Sequence, residues 1–449
     1  MISKRNDAFF RVNQNNFLGR VQNFFKTLNS RLDEKEYQQA HSHGTGAFTR
    51  RRKLTFKHLV VFLMNVVTKS IQKELNHYYK LIKSGDFDLQ HVSQGAFTQA
   101  RAKLKHTAFI ELSNRVVDEF YNEAPWMSWH GRRVLSVDGS TIALPTSDSL
   151  REEYTAHRFG AGEREKLIAR ISHLYDPLNK IIVNASIGKY TDSEKSLGEQ
   201  HLDFIQSGDV VLFDRYYPST WLFLVLQKIG ADFVMRLNEQ HWKAAKKLLN
   251  GNVNEKTEEF TANPNHSAML EKYHVSEKKI QCRIIRYRLE NGDQMVLCTS
   301  LKDRETYNRQ AIFDLYAKRW GIEESYKFLK CRLDIENFTG KTPHAILQDF
   351  YVKILLSNLC SLVMLEKEIE LEDDERKGGR KNKYQLNRTF ALSNFKDLPI
   401  FIFLKRKIKQ ALDAFNLIVQ RAVSPIRPNR SFPRRSSPRK LSKMNYKPV

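Results

Sequence analysis

The sequence predicts an α/β protein in which a mixed β-sheet is flanked by helices, preceded by an N-terminal helical region and interrupted by a β-rich insertion. Three observations support this fold class. Residues 1–130 carry apolar side chains at helical spacing. Between residues 132 and 237, short apolar strand-like segments are followed by helix-like ones. From 238 to 304 the chain is polar, with several strand-like pieces and the hairpin signal Asn291-Gly292.

The charge of the chain indicates a polyanionic partner. Among 449 residues, 74 Lys+Arg against 50 Asp+Glu give a formal charge of +24. Nucleic acid and an anionic membrane are the two candidates. The longest apolar runs, 59–64 and 221–226, are far shorter than the roughly 20 residues that span a bilayer, and the N-terminus has no signal-peptide core. We therefore expect a cytoplasmic protein that binds nucleic acid and no membrane. The four cysteines form no Cys-x-x-Cys pair, which argues against zinc and disulfides.

The N-terminal region predicts two long helices with basic flanks. Residues 54–82 are apolar at helical spacing until Gly85 breaks the pattern, and Ser93 can cap a second segment over 94–120. Arg50-Arg51-Arg52-Lys53 precede the first helix, and Arg101, Lys103 and Lys105 lie early in the second. Such a helix pair suits DNA binding. An ordinary helical bundle with solvated charges explains the same residues equally well.

The central region has a recognisable order of elements. Its pattern is strand, strand, strand, helix, strand, helix, strand, at residues 134–138, 167–175, 180–187, 193–205, 209–214, 218–228 and 231–237. This is the connectivity of a ribonuclease-H-like sheet. The active site of that sheet takes one carboxylate from the first strand, one from the fourth and one from a late helix. Asp138 and Asp214 stand in the first two places, each predicted at the C-terminal end of a short apolar strand.

The remaining segments complete a four-part organisation. A long helix is expected from 305 to 333 and a core helix from 341 to 369; residues 373–383 suggest a loop, and the basic, acid-free stretch 421–449 suggests a disordered tail. We therefore predict a helical DNA-binding domain at 1–130, a catalytic domain formed by 131–237 and 305–370, a β-rich insertion at 238–304, and a C-terminal region at 371–449.

The late helix presents a mixed polar face. Tyr316, Arg319, Glu323 and Lys330 are spaced so that, at about 100° per residue, they fall within a sector of roughly 60°. By spacing alone this face is explained as well by a solvated surface with an Arg319–Glu323 ion pair. A phosphodiester-cleaving site would instead need Asp and Glu oxygens to hold divalent metal ions.

Four segments resemble a known family. The run YAKRWGIEESYKFLK contains Tyr-x₂-Arg-x₃-Glu-x₆-Lys, the signature of the DDE transposases of the insertion-sequence-4 group. LFDRYYPS and VDGST resemble the group's second and first aspartate motifs, and QGAFTQARAKL resembles its N-terminal helical region. The similarity covers most of residues 50–365. Tyr216 departs from the pattern, because a glycine is commoner there.

The resemblance implies a site and a reaction. Asp138, Asp214 and Glu323 would be catalytic and hold two Mg²⁺ ions, for which Mn²⁺ can substitute. DNA contacts would come from Tyr316, Arg319, Lys330, Arg215 and Arg236. Trp242 could stack on a flipped base, although packing explains it more readily. The reaction would be cut-and-paste transposition of double-stranded DNA by a homodimer at the bacterial nucleoid, with hairpin formation known only from relatives.

Two other functions fit the same fold. A relic copy would bind DNA without cutting it, and the complete Asp, Asp, Glu set argues against such decay. A structure-selective nuclease would cut DNA without joining it and would depend little on the sequence of the DNA ends.

Overall fold

A mixed β-sheet lies at the centre of the chain, with helices on both sides. The computed structural model describes residues 8–12, 18–50, 52–65, 70–158, 165–289, 292–376 and 384–426. The strands are β1 (Phe9–Arg11), β2 (Met127–Trp129), β3 (Val134–Leu144), β4 (Ala156–His157), β5 (Lys166–Asp176), β6 (Ile181–Lys189), β7 (Val210–Phe213), β8 (Asp232–Leu237), β9 (Glu255–Thr261), β10 (Lys279–Arg288), β11 (Gln294–Thr299), β12 (Tyr384–Leu386) and β13 (Val423–Pro425).

Helices surround this sheet and form the N- and C-terminal parts of the described chain. The α-helices are α1 (Leu18–Asp33), α2 (Lys35–Ala40), α3 (Phe56–Met64), α4 (Ile71–Lys83), α5 (Gln94–Arg101), α6 (Thr107–Glu123), α7 (Asp148–Tyr154), α8 (Glu194–Glu199), α9 (Thr220–Ile229), α10 (Lys243–Leu249), α11 (Ser267–Lys272), α12 (Arg309–Ala317), α13 (Gly321–Cys331), α14 (Pro343–Arg376), α15 (Arg388–Phe395) and α16 (Ile408–Gln420). Short 3₁₀ turns occur at Leu202–Phe204, Pro264–His266 and Lys318–Trp320, and a π-helical turn at Ile400–Leu404.

The sheet has the predicted ribonuclease-H-like connectivity. β5 pairs antiparallel with both β3 and β6, while β7 pairs parallel with both β3 and β8. The spatial order of these five strands is therefore β6-β5-β3-β7-β8. β7, which has a parallel neighbour on each side, is apolar and buried throughout because helices cover both faces of the sheet. The predicted fold class, a mixed sheet flanked by helices, is confirmed.

The first strand is longer than predicted. β3 runs from Val134 to Leu144, so Asp138 lies within the strand and not at its C-terminal end. The prediction ended at Gly139-Ser140 because these residues usually mark a turn. Antiparallel pairing with β5 continues to Leu144, whereas parallel pairing with β7 stops at Val137. Asp138 thus marks the end of only one of the two ladders.

The β-rich segment 238–304 extends the central sheet. β11 pairs antiparallel with β8, β10 with β11, and β9 with β10. Together with β4, these strands make nine in one sheet among the described residues. The segment also contains α10 and α11, which the polar pattern did not predict.

Both long helices predicted in the N-terminal region are divided. The first is α3 and α4, with Thr55 accepting a hydrogen bond from the His58 amide and Ser70 from the Lys73 amide. The second breaks between α5 and α6, although Ser93 caps α5 as predicted. A new helix begins after Ser70 because its side chain satisfies one of the first free amides of α4, whereas α6 begins without such a cap. Arg51 and residues 66–69 lie outside the described residues.

A buried arginine joins these helices to the rest of the fold. The prediction placed Arg101 among residues that could contact DNA, but its side chain is buried and ion-paired with Asp349 at 2.7 Å. It also donates to Gln348 Oε1 at 2.6 Å and to the Ala345 carbonyl at 2.8 Å. Arg101 therefore fixes α5 against α14 and is not available to DNA.

The helices after the sheet differ from prediction in their ends. The helix expected at 305–333 begins at Arg309 and contains the 3₁₀ turn Lys318–Trp320. The core helix α14 continues to Arg376, so the loop expected from 373 begins later. One window of α14 is long and apolar enough to cross a membrane, but 89% of it is buried within the fold, as in a core helix. Residues 377–383 and most of the predicted tail, 427–449, lie outside the described residues.

Candidate active site

The register of two parallel strands brings the two aspartates together. Val137 of β3 is the partner of Phe213 in β7, and this is the last pair of that ladder. Asp138 and Asp214 are the next residues on the two neighbouring strands, so their carboxylates are side by side. The Asp214 carboxyl is held in a turn, because it accepts a 2.8 Å hydrogen bond from the amide of Tyr216.

Arg319 connects Glu323 to this pair. Its guanidinium lies 4.0 Å from Asp138 Oδ2 and 3.7 Å from Glu323 Oε1. Arg319 is buried and lies over the ring of the buried Tyr316, 5.9 Å from its centre. The Arg319–Glu323 ion pair considered from spacing is present, with the guanidinium buried near Asp138 of β3 and the Glu323 side chain 33% exposed. The polar face of the late helix therefore borders the aspartates and is not simply a solvated surface.

The same helix is attached to β3 at two further points. Lys330 Nζ donates a 2.8 Å hydrogen bond to Ser140 Oγ, and the Tyr326 hydroxyl donates a 2.7 Å hydrogen bond to the Asp138 carbonyl. Ser172 Oγ donates to that same carbonyl at 3.1 Å. Asp138 is thus held through its backbone from both neighbouring elements.

Burial has the largest effect on the pKa of Asp138. The pKa of its carboxyl is raised from 3.8 to about 6, chiefly by desolvation and also by the charges of Asp214 and Glu194. The Gly139 amide, which donates to Asp138 Oδ1 at 2.9 Å, and Arg319 act in the opposite direction. Such a carboxylate favours a nearby cation, because a cation relieves both the burial and the repulsion.

Sequence reasoning missed two residues of this site. Glu194, at the start of α8, lies so close over Gly139 that a methyl group there would be 2.8 Å from Glu194 Cγ. Arg170 holds Glu194 by a 2.9 Å ion pair. Tyr326 is the other omission, and its position three residues after Glu323 could have placed it on the same helix face. No comparable pattern in the sequence marks Glu194.

A cleft opens beside Asp214. Its volume is about 630 Å³, and Arg215, Tyr216 and Lys195 contribute to its wall. Arg215 and Tyr216 are exposed, and Lys195 is half-buried. Arg236, in β8, lies near enough to Tyr316 that its charge lowers the pKa of that phenol, although burial raises it overall to about 12. The predicted DNA-contacting residues therefore surround the carboxylates.

Comparison with known proteins identifies the family. Residues 129–359, just over half of the chain, match the family model of the transposase DDE domain. The chain belongs to the DDE transposase family. The match includes Asp138, Asp214 and Glu323, together with the Tyr, Arg and Lys of the signature, since all lie between residues 129 and 359.

Individual relatives support assignment of the chain to the insertion-sequence-4 group. The chain is 25% identical over 200 residues to the putative transposase InsZ of Escherichia coli and 23% identical over 288 residues to the transposase InsG for insertion sequence element IS4 of the same organism. These matches cover 44% and 61% of this chain, and only 63% and 62% of the two relatives. A putative transposase for element IS4SA of Synechocystis is 30% identical over 98 residues, 21% of this chain and 29% of that protein.

A solved transposase structure aligns with most of this DDE transposase family member. It is a piggyBac transposase synaptic complex with hairpin DNA, which aligns with 92% of this chain and 87% of its own at 11% identity, with a TM-score of 0.42.

A DDE domain implies dependence on a divalent metal ion. In the described part of the chain, no three His, Cys, Asp or Glu side chains are grouped closely enough to hold one. The donor chemistry nevertheless fits, because all three predicted ligands offer carboxylate oxygens, which hard divalent ions prefer. The guanidinium of Arg319 already provides a positive charge beside two of them, and its buried Nε has no hydrogen-bond partner.

The Trp242 ring packs against other aromatic rings of this transposase fold. Its ring stacks on Phe223 with a centroid distance of 5.6 Å and meets the edge of Phe260 at 5.2 Å. These contacts support the packing explanation over the base-stacking one. Another aromatic residue, Tyr216, is exposed at the cleft instead.

Proposed function

We propose that this chain catalyses cut-and-paste transposition of an insertion sequence by cutting and joining DNA at the element ends. The observation that carries the proposal is the strand register that sets Asp138 beside Asp214, with Arg319 connecting Asp138 to Glu323. Membership of the DDE transposase family supports the reaction class.

Asp138, Asp214 and Glu323 would hold two Mg²⁺ ions, or Mn²⁺ in their place. Bound at this site, such ions would activate the attacking oxygen and stabilise the departing one. Arg319, whose guanidinium lies beside Asp138 and Glu323, would contact the scissile phosphate, because a planar guanidinium suits the two-pronged geometry of that group.

The chemistry consists of two kinds of phosphoryl transfer, hydrolysis and strand transfer. In the first, a water oxygen bonds to phosphorus and the bond from phosphorus to the 3′ oxygen breaks, leaving a 3′-hydroxyl and a 5′-phosphate. In the second, that 3′-hydroxyl bonds to a phosphorus of target DNA, whose own 3′ oxygen departs and takes up a proton. The Asp138 side chain is only 19% exposed, and partial burial strengthens its charge interactions.

The surrounding side chains hold the DNA. Lys330 contacts a phosphate as a point charge, and the Tyr316 phenol stays neutral because its pKa is about 12. Arg215 and Arg236 extend the positive surface on the side of β7 and β8. Double-stranded DNA fits the charge of +24, which supports counterion release on binding.

The wider organisation follows from the same reaction. The helical region 1–130 binds the element ends, and its cleft of about 250 Å³ is bordered by Arg50, Arg52 and Lys103. The parts 131–237 with 305–370 form the catalytic domain, 238–304 the insertion and 371–449 the C-terminal region. Two ends must be held together, which calls for a homodimer, and the DNA substrate places it at the nucleoid.

Cleavage and joining assays test the function. DNA carrying the element ends is incubated with Mg²⁺ and with wild type, Asp138→Asn, Asp214→Asn, Glu323→Gln or Glu324→Gln. Glu324 is the matched control, since it adjoins Glu323 but its side chain is 76% exposed. We expect wild type and Glu324→Gln to cut and join, and the other three to bind the ends without cutting.

The same assay separates the alternatives. Binding without cleavage by every protein, including wild type, would indicate a relic. Cleavage without joining, at any end sequence, would indicate a nuclease. Cutting by Glu323→Gln at the wild-type rate would remove Glu323 from the site.

A further inference from the structure

An exposed tyrosine stands beside the catalytic aspartate where the family pattern has a glycine. Tyr216 follows Asp214 by two residues, and half of its side-chain surface, 50%, is open to solvent. It borders the cleft of about 630 Å³ that also contains Asp214 and Arg215. The ring is therefore outside the hydrophobic core and open to a ligand in the cleft.

The ring is nevertheless held in a defined position. Its backbone amide is fixed by the 2.8 Å hydrogen bond to Asp214 Oδ1. The ring meets the buried Tyr217 edge-on, with centroids 6.0 Å apart and planes at 88°. Lys195 Nζ lies 5.2 Å from the ring centre. A flat surface fixed in this way can receive another flat group at little entropic cost.

The rest of the cleft offers groups suited to a nucleotide. Asn238, Gln240 and His241 line it with hydrogen-bond donors and acceptors, and Arg215 and Lys195 carry positive charge. Glu239 adds a carboxylate to that of Asp214. A base needs an aromatic surface for its face and polar groups for its edge, while its phosphate needs a cation. All three are present within one cleft that opens directly beside Asp214.

We propose that Tyr216 is the stacking platform of a subsite for one unstacked nucleobase, next to the phosphate held at Asp214. This inference rests on the proposed function, since DNA must lie at Asp214 for the base to reach the cleft. Arg215 and Lys195 bind the phosphate of that nucleotide, and the amide side chains meet the edge of its base. A glycine at position 216 could not supply this surface.

A protein–DNA double-mutant cycle tests the subsite. Full-length wild type, Tyr216→Ala, Tyr216→Leu and Tyr216→Phe are titrated with duplex DNA carrying the element end, in Ca²⁺ to prevent cleavage. The same titrations use DNA with a single abasic site moved one position at a time past the cleavage point. Phe390→Ala is the matched control, because it removes an exposed aromatic ring from α15.

We expect Tyr216→Ala and Tyr216→Leu to weaken binding to intact DNA about tenfold, within the range of a base–aromatic stack. At one abasic position the difference from wild type should vanish, and Tyr216→Phe should restore both the affinity and that dependence. Phe390→Ala should match wild type on every DNA.

Four results would overturn the inference, and a fifth would separate it from the proposed function. Wild-type affinity in Tyr216→Ala and Tyr216→Leu would show that the ring contacts no base. A loss that is equal at every abasic position would assign Tyr216 to the fold, as would recovery by Leu. If the coupling is found but wild type does not cut in Mg²⁺, the subsite stands and the proposed function fails; if wild type binds no end DNA, both fail.

Discussion

The Tyr326 hydroxyl donates a 2.7 Å hydrogen bond to the backbone carbonyl of Asp138. This bond joins the helix that carries Glu323 to the strand that carries Asp138, close to the predicted ligands. The Tyr326 ring also stacks on His173 of β5, with centroids 4.5 Å apart. Tyr326 therefore sets the distance between two acidic residues without itself supplying a carboxylate.

Removing this hydroxyl should slow the reaction more than it weakens the fold. We expect Tyr326→Phe to keep the His173 stack, to lose about 1 kcal/mol of stability and to cut DNA on the order of tenfold more slowly. Its affinity for end DNA should not change. Single-turnover cleavage and urea unfolding provide the two measurements.

A second buried tyrosine gives the control for Tyr326. The Tyr37 hydroxyl donates a 2.8 Å hydrogen bond to the Ala108 carbonyl in the N-terminal helices. Tyr37→Phe should lower stability similarly and leave cleavage unchanged. Equal slowing by both variants would show that lost stability, and not the position of Asp138, limits the rate.

Because the pKa of Asp138 is raised, we expect its replacement by Asn to stabilise the protein by an amount that depends on pH. Because its folded pKa, about 6, exceeds the ordinary 3.8, ionised Asp138 destabilises the metal-free protein above pH 6. That penalty fades as pH falls from 6 towards 3.8. Asp138→Asn should therefore be more stable by about 3 kcal/mol above pH 6 and equal to wild type near the lower value.

Unfolding by urea in EDTA across this pH range checks the Asp138 prediction. Asp148→Asn serves as the control, since its carboxylate is 99% exposed and should give no pH-dependent difference. A gain for Asp138→Asn that is the same at both ends of the range would contradict the assignment.

A side chain larger than that of glycine at position 139 should destabilise the protein. A methyl group at 139 would lie 2.8 Å from Glu194 Cγ, which Arg170 holds in place. Gly139→Ala should lower the free energy of unfolding by about 1–3 kcal/mol, and adding Glu194→Ala should recover much of that loss. Gly85→Ala, with no atom within 4 Å of its new methyl group, should be as stable as wild type. Failure of the double variant to recover would mean that Glu194 is not the obstacle.

Arg101 should be essential for attaching the N-terminal helices. Arg101→Met leaves Asp349 buried without its cation, which should destabilise the protein by about 3–5 kcal/mol. Arg115→Met removes a partly exposed pair with Glu111 and should change stability by less than about 1 kcal/mol. Denaturant titration of both variants measures the contrast, and similar losses would refute the role given to the buried pair.

The sequence by itself determined the fold class, the strand connectivity and the family. The apolar strand segments and helical spacings carry that information locally, because a strand or helix face is specified by residues near one another in the chain. The Tyr-x₂-Arg-x₃-Glu-x₆-Lys spacing likewise predicted four side chains on one face of a late helix, which in the structure is divided by the 3₁₀ turn Lys318–Trp320. Strand order indicated Asp138 and Asp214, the resemblance to the transposase signature indicated Glu323, and the catalytic role of all three stays a prediction.

Only the tertiary structure showed which residues from distant segments of the chain contact each other. In the structure, Glu194 lies over Gly139 and Tyr326 contacts the backbone of Asp138. Arg101 is buried against α14, and the Trp242 ring packs within the fold. Strand β3 also continues past Gly139, because the ladder with β5 runs on where the ladder with β7 stops. Such contacts join residues far apart in the chain, and their burial and hydrogen bonding depend on how whole elements pack, which no local pattern of residues specifies.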